Sequence, residues 1–455
     1  MKMELHDYDI YPKVFPVGTE VEITVKPLGV HAAFSGEYKI MVQRLDGGHI
    51  GHAFSAWNHT DYFVTPCDDG TLRFTYTADK EGELAVRIYK KDSDRRTVQL
   101  NLYALDADLA ERVPLRGDLH MHTCRSDGRE DPSTVCANYR KIGYDFIVIT
   151  DHNRYYPSLE ARNTYKDADI TLNILPGEEV HVPLTSVHIV NAGGTFSVNG
   201  LIETSPNYTE TNGSIEGRSL DGNAPETMSR EAYDQMIAEL AASDLCKDCP
   251  EGVDKTWYAV CCWAFDRIRD AGGLAIYAHP YWIADMWHVP EAFNQYMLKT
   301  HPFDAFEVLG GENYYEQNGF QTAAYYEEYK TGNVLPIVGS TDSHGSTEHN
   351  RNSDICSTIV FAHENERADI LASIKDKYSV AVDSISKEFR LVGEFRFQKY
   401  ACFLMNEWFP LHDRLASMDG EIMREYYVGE ADASELALMK KKSDAMYAKY
   451  FKTVR

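Results

Sequence analysis

The chain carries two kinds of hydrophobic pattern, and one gives way to the other near residue 113. Before that point, apolar and polar side chains alternate with a period near two in VEITVKPL, YKIMVQRL, LRFTYTA, LAVRIYKK and VQLNLYAL. Such alternation puts one face of a strand on a core and the other in water. Turn-forming runs such as Asp46-Gly47-Gly48 and Asp68-Asp69-Gly70 separate these segments. Short strands at this spacing predict a small antiparallel β-sandwich domain over 1–112.

From 113 onward, strand-like apolar runs alternate with helix-like stretches. VPLRGDLHMH leads to a helix predicted over Pro132–Ile142, and YDFIVITDHN, ITLNILPGEEV and SVHIVNAG follow. A helix over Trp257–Ala271 precedes GLAIYAHP, and FDAFEVLGG precedes a helix over Thr322–Thr331 and then VLPIVGSTDSH. The segment TIVFAHENERADILASIKDKYSVAV reads as a last strand, helix and strand. This alternation argues for an α/β fold of parallel strands and crossover helices over 113–394. In such folds chemistry collects at the carboxyl ends of the strands.

Residues 200–255 interrupt the pattern as a polar insertion, with a helix start at Ser229, and read as a lid or specificity element. The insertion contains Cys246-Lys-Asp-Cys249, followed by Cys261-Cys262. The adjacent pair breaks the zinc-ribbon spacing, so free thiols are expected there. Residues 395–455 have helical spacing and propensity, and form a C-terminal extension suited to closing the domain or pairing with a second copy.

Bulk composition narrows the function classes. The 455 residues suit about two or three domains. A formal net charge of -25 opposes nucleic-acid binding. No apolar run is long enough to span a bilayer, and MKMELHDYDIYPKVF lacks an apolar signal core, so a cytoplasmic protein without a membrane partner is expected. Nine cysteines without a framework fit reduced thiols in that compartment.

The candidate chemistry lies where apolar runs end. His120-Met-His122, Asp127, Asp151-His152, Glu178-Glu179, His188, His279 and Asp342-Ser-His344 each sit in or just after such a run. Imidazole with carboxylate is the ligand set of zinc, manganese and iron. His120 and His122 alternate along an extended segment, so both face one side, and Asp342 and His344 do the same. Asp151 is read as a ligand or as a group that orients one.

DLHMHTCRSDG, TDHN, PGEEV, VHIV, AHP and GSTDSHG, in this order, resemble the motifs of the PHP (polymerase and histidinol phosphatase) metallohydrolases over roughly 114–390. An N-terminal β domain ahead of such a domain also resembles the CehA/McbA-like branch. The resemblance implies a distorted (β/α)7 barrel with two or three divalent ions (Zn, Mn or Fe) on one rim. It implies that His120, His122 and Asp342 hold a first ion together with a bridging Glu. The family's Gly-x-Glu pattern, read from Gly177, makes that bridge Glu179. His188 and His279 would join Glu179 at a second ion, and Asp127, His152 and His344 would hold a third. Asp127 stands where some members carry histidine.

The expected reaction is hydrolysis of a small organic phosphate mono- or diester by water activated on the ions. The alternative is a carbonyl ester, amide or carbamate substrate, and the lesser alternative is metal or ligand binding without turnover. Arg154 is the candidate anion clamp, with Tyr281, Trp282 and Arg351 as further substrate-binding candidates. His279 is a candidate leaving-group acid. Glu307 and Glu312-Asn313 are candidates to orient ligands. His181, His301, His349 and His363 fall off the motif pattern and are read as noncatalytic. The expected partner is a small, anionic substrate, and a homo-oligomer is compatible with this reading.

Overall fold

The computed structural model describes residues 4–47, 59–203, 224–310, 315–347, 355–384 and 390–452. The chain divides into two compact units, 1–113 with 395–415 and 440–455, and 114–394 with 416–439.

The first unit holds strands β1 (Tyr8–Tyr11), β2 (Val14–Pro16), β3 (Glu20–Pro27), β4 (Tyr38–Arg44), β5 (His59–Val64), β6 (Leu72–Thr77), β7 (Gly82–Lys90) and β8 (Arg96–Leu105). They form two sheets, ordered β1-β3-β6 and β2-β8-β7-β4-β5. All neighbours pair antiparallel except β2 and β8. Alternating residues such as Ile23, Val25, Ile40, Val42, Val86 and Ile88 fill one apolar core. Tyr103 of β8 packs on Tyr400 and Phe403 of the helix Phe395–Glu407.

The second unit is mixed α/β. Its strands are β9 (Val113–Asp118), β10 (Phe146–Val148), β11 (Asn173–Leu175), β12 (Gly177–Val180), β13 (Ile189–Ala192), β14 (Leu274–Tyr277), β15 (Ile283–Ala284), β16 (Met286–Trp287), β17 (Ala305–Leu309), β18 (Ile337–Gly339), β19 (Cys356–Ala362), β20 (Ser379–Asp383) and β21 (Arg390–Val392). Hydrogen bonding sorts most of them into β11-β10-β9-β19-β20-β21 and β12-β13-β14-β17-β18. Single parallel bridges, Met121–Ser343 and His152–Glu179, connect the ends of these two sheets. Pairing therefore runs in a circuit β9-β10-β12-β13-β14-β17-β18 and back to β9.

This is not the uniformly parallel set of strands with crossover helices that the alternating pattern predicts. Strand β13 runs antiparallel to both β12 and β14. Only seven residues, 181–187, lie between Val180 and His188, and they form a turn, too little chain for a crossover helix.

The helices Pro132–Lys141, Lys255–Asp270 and Tyr315–Lys330 fall on the predicted segments, with the third starting earlier. Asp131 and Asp254 cap the first two by accepting main-chain N–H groups. The insertion is less of a loop than its composition suggests. Ser229 caps the helix Arg230–Ala242, whose Tyr233 and Ile237 are buried in the main core. Its polar stretch 204–223 lies outside the described residues. The nine cysteines are free thiols.

The C-terminal residues 395–455 do not form a separate extension, because the two units share them. Within the second unit, Asp419 accepts from Arg140 Nε at 2.7 Å, and both are buried. Among the described residues, no helix is long and apolar enough to cross a membrane.

Candidate metal centre

Strand polarity decides which residues reach the rim. His120 and His122 follow β9, His152 follows β10, His279 follows β14, and Asp342 follows β18. Because β13 runs antiparallel, its start faces that rim, and His188 therefore precedes its strand instead of following it. Glu179 lies within β12, directly paired with Val190 of β13. Gly177 allows this approach, since a Cβ there would stand 2.3 Å from Val148 and 2.8 Å from the Asn191 carbonyl.

These strand ends bring the side chains together. His122, Asp127, His152 and His344 each offer one donor atom within 4.8 Å of the others. The same holds for His120, His122 and Asp342, for His120, Glu179 and His279, and for His152, Glu179 and His181. Glu179 is the hub. Its Oε1 lies 2.7 Å from His188 Nδ1 and 3.7 Å from His279 Nε2. Its Oε2 lies 2.5 Å from His152 Nδ1 and 3.5 Å from Nε2 of both His120 and His122. Asp342 Oδ1 lies 2.8 Å from His122 Nε2 and 3.3 Å from His120 Nε2. Asp127 Oδ2 faces His152 Nε2 at 3.4 Å and His344 Nε2 at 3.3 Å.

Apart from His122 Nε2 with Asp342 Oδ1 and His152 Nδ1 with His181 Nε2, these close approaches are not hydrogen bonds. Both oxygens of Glu179, and His120 Nε2, His122 Nδ1, His188 Nδ1 and His279 Nε2, are buried without a hydrogen-bond partner. Lone pairs that converge at these distances without bonding geometry fit divalent cations, which take imidazole nitrogen and carboxylate oxygen.

Behind the rim, the buried carboxylates Asp151, Asp118 and Glu178 each accept several hydrogen bonds. Asp151 accepts from the Thr123 and Ser126 main-chain N–H groups and from both hydroxyls. It thus braces the loop after His122 and is not a ligand. Asp118 accepts from the Thr341 hydroxyl at 2.6 Å and from the His120 and Thr341 N–H groups, tying β9 to the segment that carries Asp342. Glu178 accepts from Ser197, Asn191, Asn199 and the Val198 N–H. Glu307 Oε2 meets His120 Nδ1 at 3.1 Å, which leaves Nε2 for an ion. Gly310 makes room for that carboxylate, since a Cβ there would overlap it. His279, Asp342 and Asn153 hold positive φ angles of 21°, 51° and 57°. Strained backbone of this kind is found at sites the surroundings over-determine.

Burial opposes charge on every group in this cluster, and the neighbours decide the outcome. Glu179 is held well below the carboxylate range by His152, His188, His181 and His120. Asp342 and Asp127 are lowered as well, by His120 and His122 and by His152 and His344. His152 is pushed up to about 11, because Glu179 and Asp127 outweigh its burial. His120, His279 and His344 also rise beside carboxylates. Burial prevails at His122 and His188, which fall to about 4 and about 3. Several imidazoles therefore carry protons that an ion would have to displace.

Among solved structures, the chain is similar to a two-domain protein from Bacteroides vulgatus ATCC 8482 described as containing a predicted PHP-like metal-dependent phosphoesterase. That likeness covers 60% of this chain and 65% of that one, at 16% identity and a TM-score of 0.39. A stretch of 98 residues is 26% identical to the DNA polymerase/3'-5' exonuclease PolX of Bacillus subtilis (strain 168). It makes up 21% of this chain and only 17% of PolX. An amidohydrolase from Chromobacterium violaceum is similar over 52% of this chain and 89% of its own, at 18% identity and a TM-score of 0.29. No family model matches.

The residues expected to read substrate are placed less uniformly. Arg154 is buried, at 9% exposure, and its guanidinium lies beside the Tyr156 hydroxyl. Tyr281 is buried, and its hydroxyl reaches Glu291 at 3.4 Å. Trp282 does border the centre, with ring centroids 5.8 Å from His188 and 6.2 Å from His279. Arg351, His349 and Glu312-Asn313 lie outside the described residues. His181, read from the sequence as an outsider, stands inside the cluster. The signal for it was available: it sits two positions after Glu179, so on an extended segment both face the same way.

Proposed function

We propose that this chain is a metal-dependent hydrolase, a phosphoesterase acting on a small organic phosphate mono- or diester. The observation that carries this reading is Glu179, fully buried with neither oxygen hydrogen-bonded and imidazoles on every side. Two or three divalent ions (Zn, Mn or Fe) fit the grouping of donors. His120, His122 and Asp342 would hold one, Glu179, His188 and His279 a second, and Asp127, His152 and His344 a third. Bound ions supply Lewis acidity and lower the pKa of water enough for attack near neutral pH. In this reading the strand circuit is a distorted (β/α)7 PHP barrel.

The chain's own residues set the geometry. Glu307 fixes the His120 ring, and Asp151, Asp118 and Glu178 hold the loops that carry ligands. His279 serves as a ligand, since its Nε2 faces Glu179 and Asp342, each at 3.7 Å. Arg154, beside the Tyr156 hydroxyl, is the candidate anion clamp of this reading.

A second reading keeps the site and changes the bond to a carbonyl ester, amide or carbamate, as in the CehA/McbA-like layout. The aromatic border favours it: Trp282 stacks near His188 and His288, and Tyr281, Trp287 and Phe320 lie mutually within about 6 Å at the same turn. The test is side-by-side hydrolysis of phosphomonoesters, phosphodiesters and neutral carboxyl esters by metal-loaded protein, with His120→Ala as control. Phosphate-ester cleavage lost in the variant is the expected result. Carboxyl-ester cleavage alone would replace the first reading by the second.

A further inference from the structure

We propose that His181 is a metal ligand, additional to the set that the motif order supplies. The proposal rests on the metal-centre reading above. His181 Nε2 lies 2.8 Å from His152 Nδ1 and 3.4 Å from Glu179 Oε2. Those three atoms form one of the compact donor groups. The His181 ring is also 4.4 Å from that of His188.

The position is built, not incidental. Asn199, itself buried, accepts from the His181 main-chain N–H at 3.0 Å and donates to the Glu179 carbonyl at 3.2 Å. The same amide donates to Glu178. One side chain thus pins the main chain on both sides of the Glu179–His181 step, and both side chains project toward the rim.

The geometry also separates this group from the Asp127 site. The two nitrogens of an imidazole point to opposite edges of the ring. His152 turns Nε2 toward Asp127 and Nδ1 toward Glu179 and His181. His181 therefore adds nitrogen on the Glu179 side of His152. At 2.8 Å, one of the two imidazoles must donate to the other when no ion is bound. With His152 Nε2 turned to the Asp127 site, its Nδ1 keeps the proton, and His181 offers its Nε2 lone pair to a cation shared with Glu179. More nitrogen around Glu179 favours zinc, cobalt or iron over manganese or magnesium, which prefer oxygen.

The direct test uses cobalt. His181→Cys loaded with Co²⁺ should show a sulfur-to-cobalt charge-transfer band in the near ultraviolet that wild type lacks. His181→Ala should hold one ion more than about 100-fold more weakly in chelator competition, beyond the roughly 10- to 100-fold loss usual for a residue that only orients a ligand. Circular dichroism checks that both variants fold, as suits a side chain that is 22% exposed. Absence of the band overturns the proposal even if affinity falls, because loss of a hydrogen bond to His152 would also lower affinity. Unchanged ion content and affinity in His181→Ala overturns it as well. His120→Ala separates the two readings: if that variant keeps every ion, the metal centre itself is refuted, and not His181 alone.

Discussion

Two adjacent carboxylates on β12 show how differently one strand can use buried charge. Behind the strand, Glu178 accepts four hydrogen bonds from Ser197, Asn191, Asn199 and the Val198 N–H. On the rim side, Glu179 is equally buried but accepts none, and histidines surround it. A buried carboxylate with its acceptor sites filled is part of the scaffold. A buried carboxylate left unbonded, with the pKa values of its neighbours displaced, marks a site that awaits a cation.

The sharpest way to break this contrast is to neutralise each carboxylate in turn. Glu179→Gln should lower kcat/KM by about 1000-fold, since ion-based charge stabilisation is worth several kcal/mol. Its thermal midpoint without metal should lose the pH dependence that the raised histidines give it, because no hydrogen bond is lost but their counter-charge is. Steady-state kinetics and a melting curve on the same preparation check both. Glu178→Gln should do the reverse, losing about 1–3 kcal/mol of stability through unmatched donors while keeping its ions. Denaturant unfolding would show whether that loss is there.

A smaller effect is expected at Glu307→Gln. The carboxylate orients His120 from the side away from the ions, so affinity for one ion should fall about 10- to 100-fold. Chelator competition reads it directly. The pH dependence sharpens the contrast further. His120, His152, His279 and His344 are raised by neighbouring carboxylates, and His152, pushed up to about 11, holds its protons in the metal-free site at neutral pH. Binding must release those protons, and apparent affinity should therefore climb as pH rises and collapse on acidification. Isothermal titration in buffers of different ionisation enthalpy would count the protons; a count of zero would contradict the assignment. The smallest change is expected at Trp282→Ala, which should raise KM for esters with aromatic leaving groups about tenfold and leave small aliphatic ones alone, as suits loss of one stacking contact.

Much of the rim was legible because ligation restricts residue type and spacing. His120-Met-His122 and Asp342-Ser-His344 announce themselves by alternation, whereas the choice of Glu179 came from the Gly-x-Glu pattern that the resemblance implies. The β-sandwich strands were legible for a similar reason: a period of two survives wherever one face is buried. His181 was missed because its role depends on where Asn199 holds the strand end, a contact between residues 18 apart in sequence. The reversal of β13 was missed because apolar runs do not encode direction. Helical spacing in 395–455 likewise says nothing about partners, and those helices are divided between the two units.

The most direct measurement is the number of zinc or manganese ions bound per chain by wild type, Glu178→Gln and Glu179→Gln after dialysis at micromolar free metal. The account predicts at least two ions in wild type, the same number in Glu178→Gln, and loss of ions in Glu179→Gln. Fewer than one ion in wild type, or an unchanged count in Glu179→Gln, would contradict it.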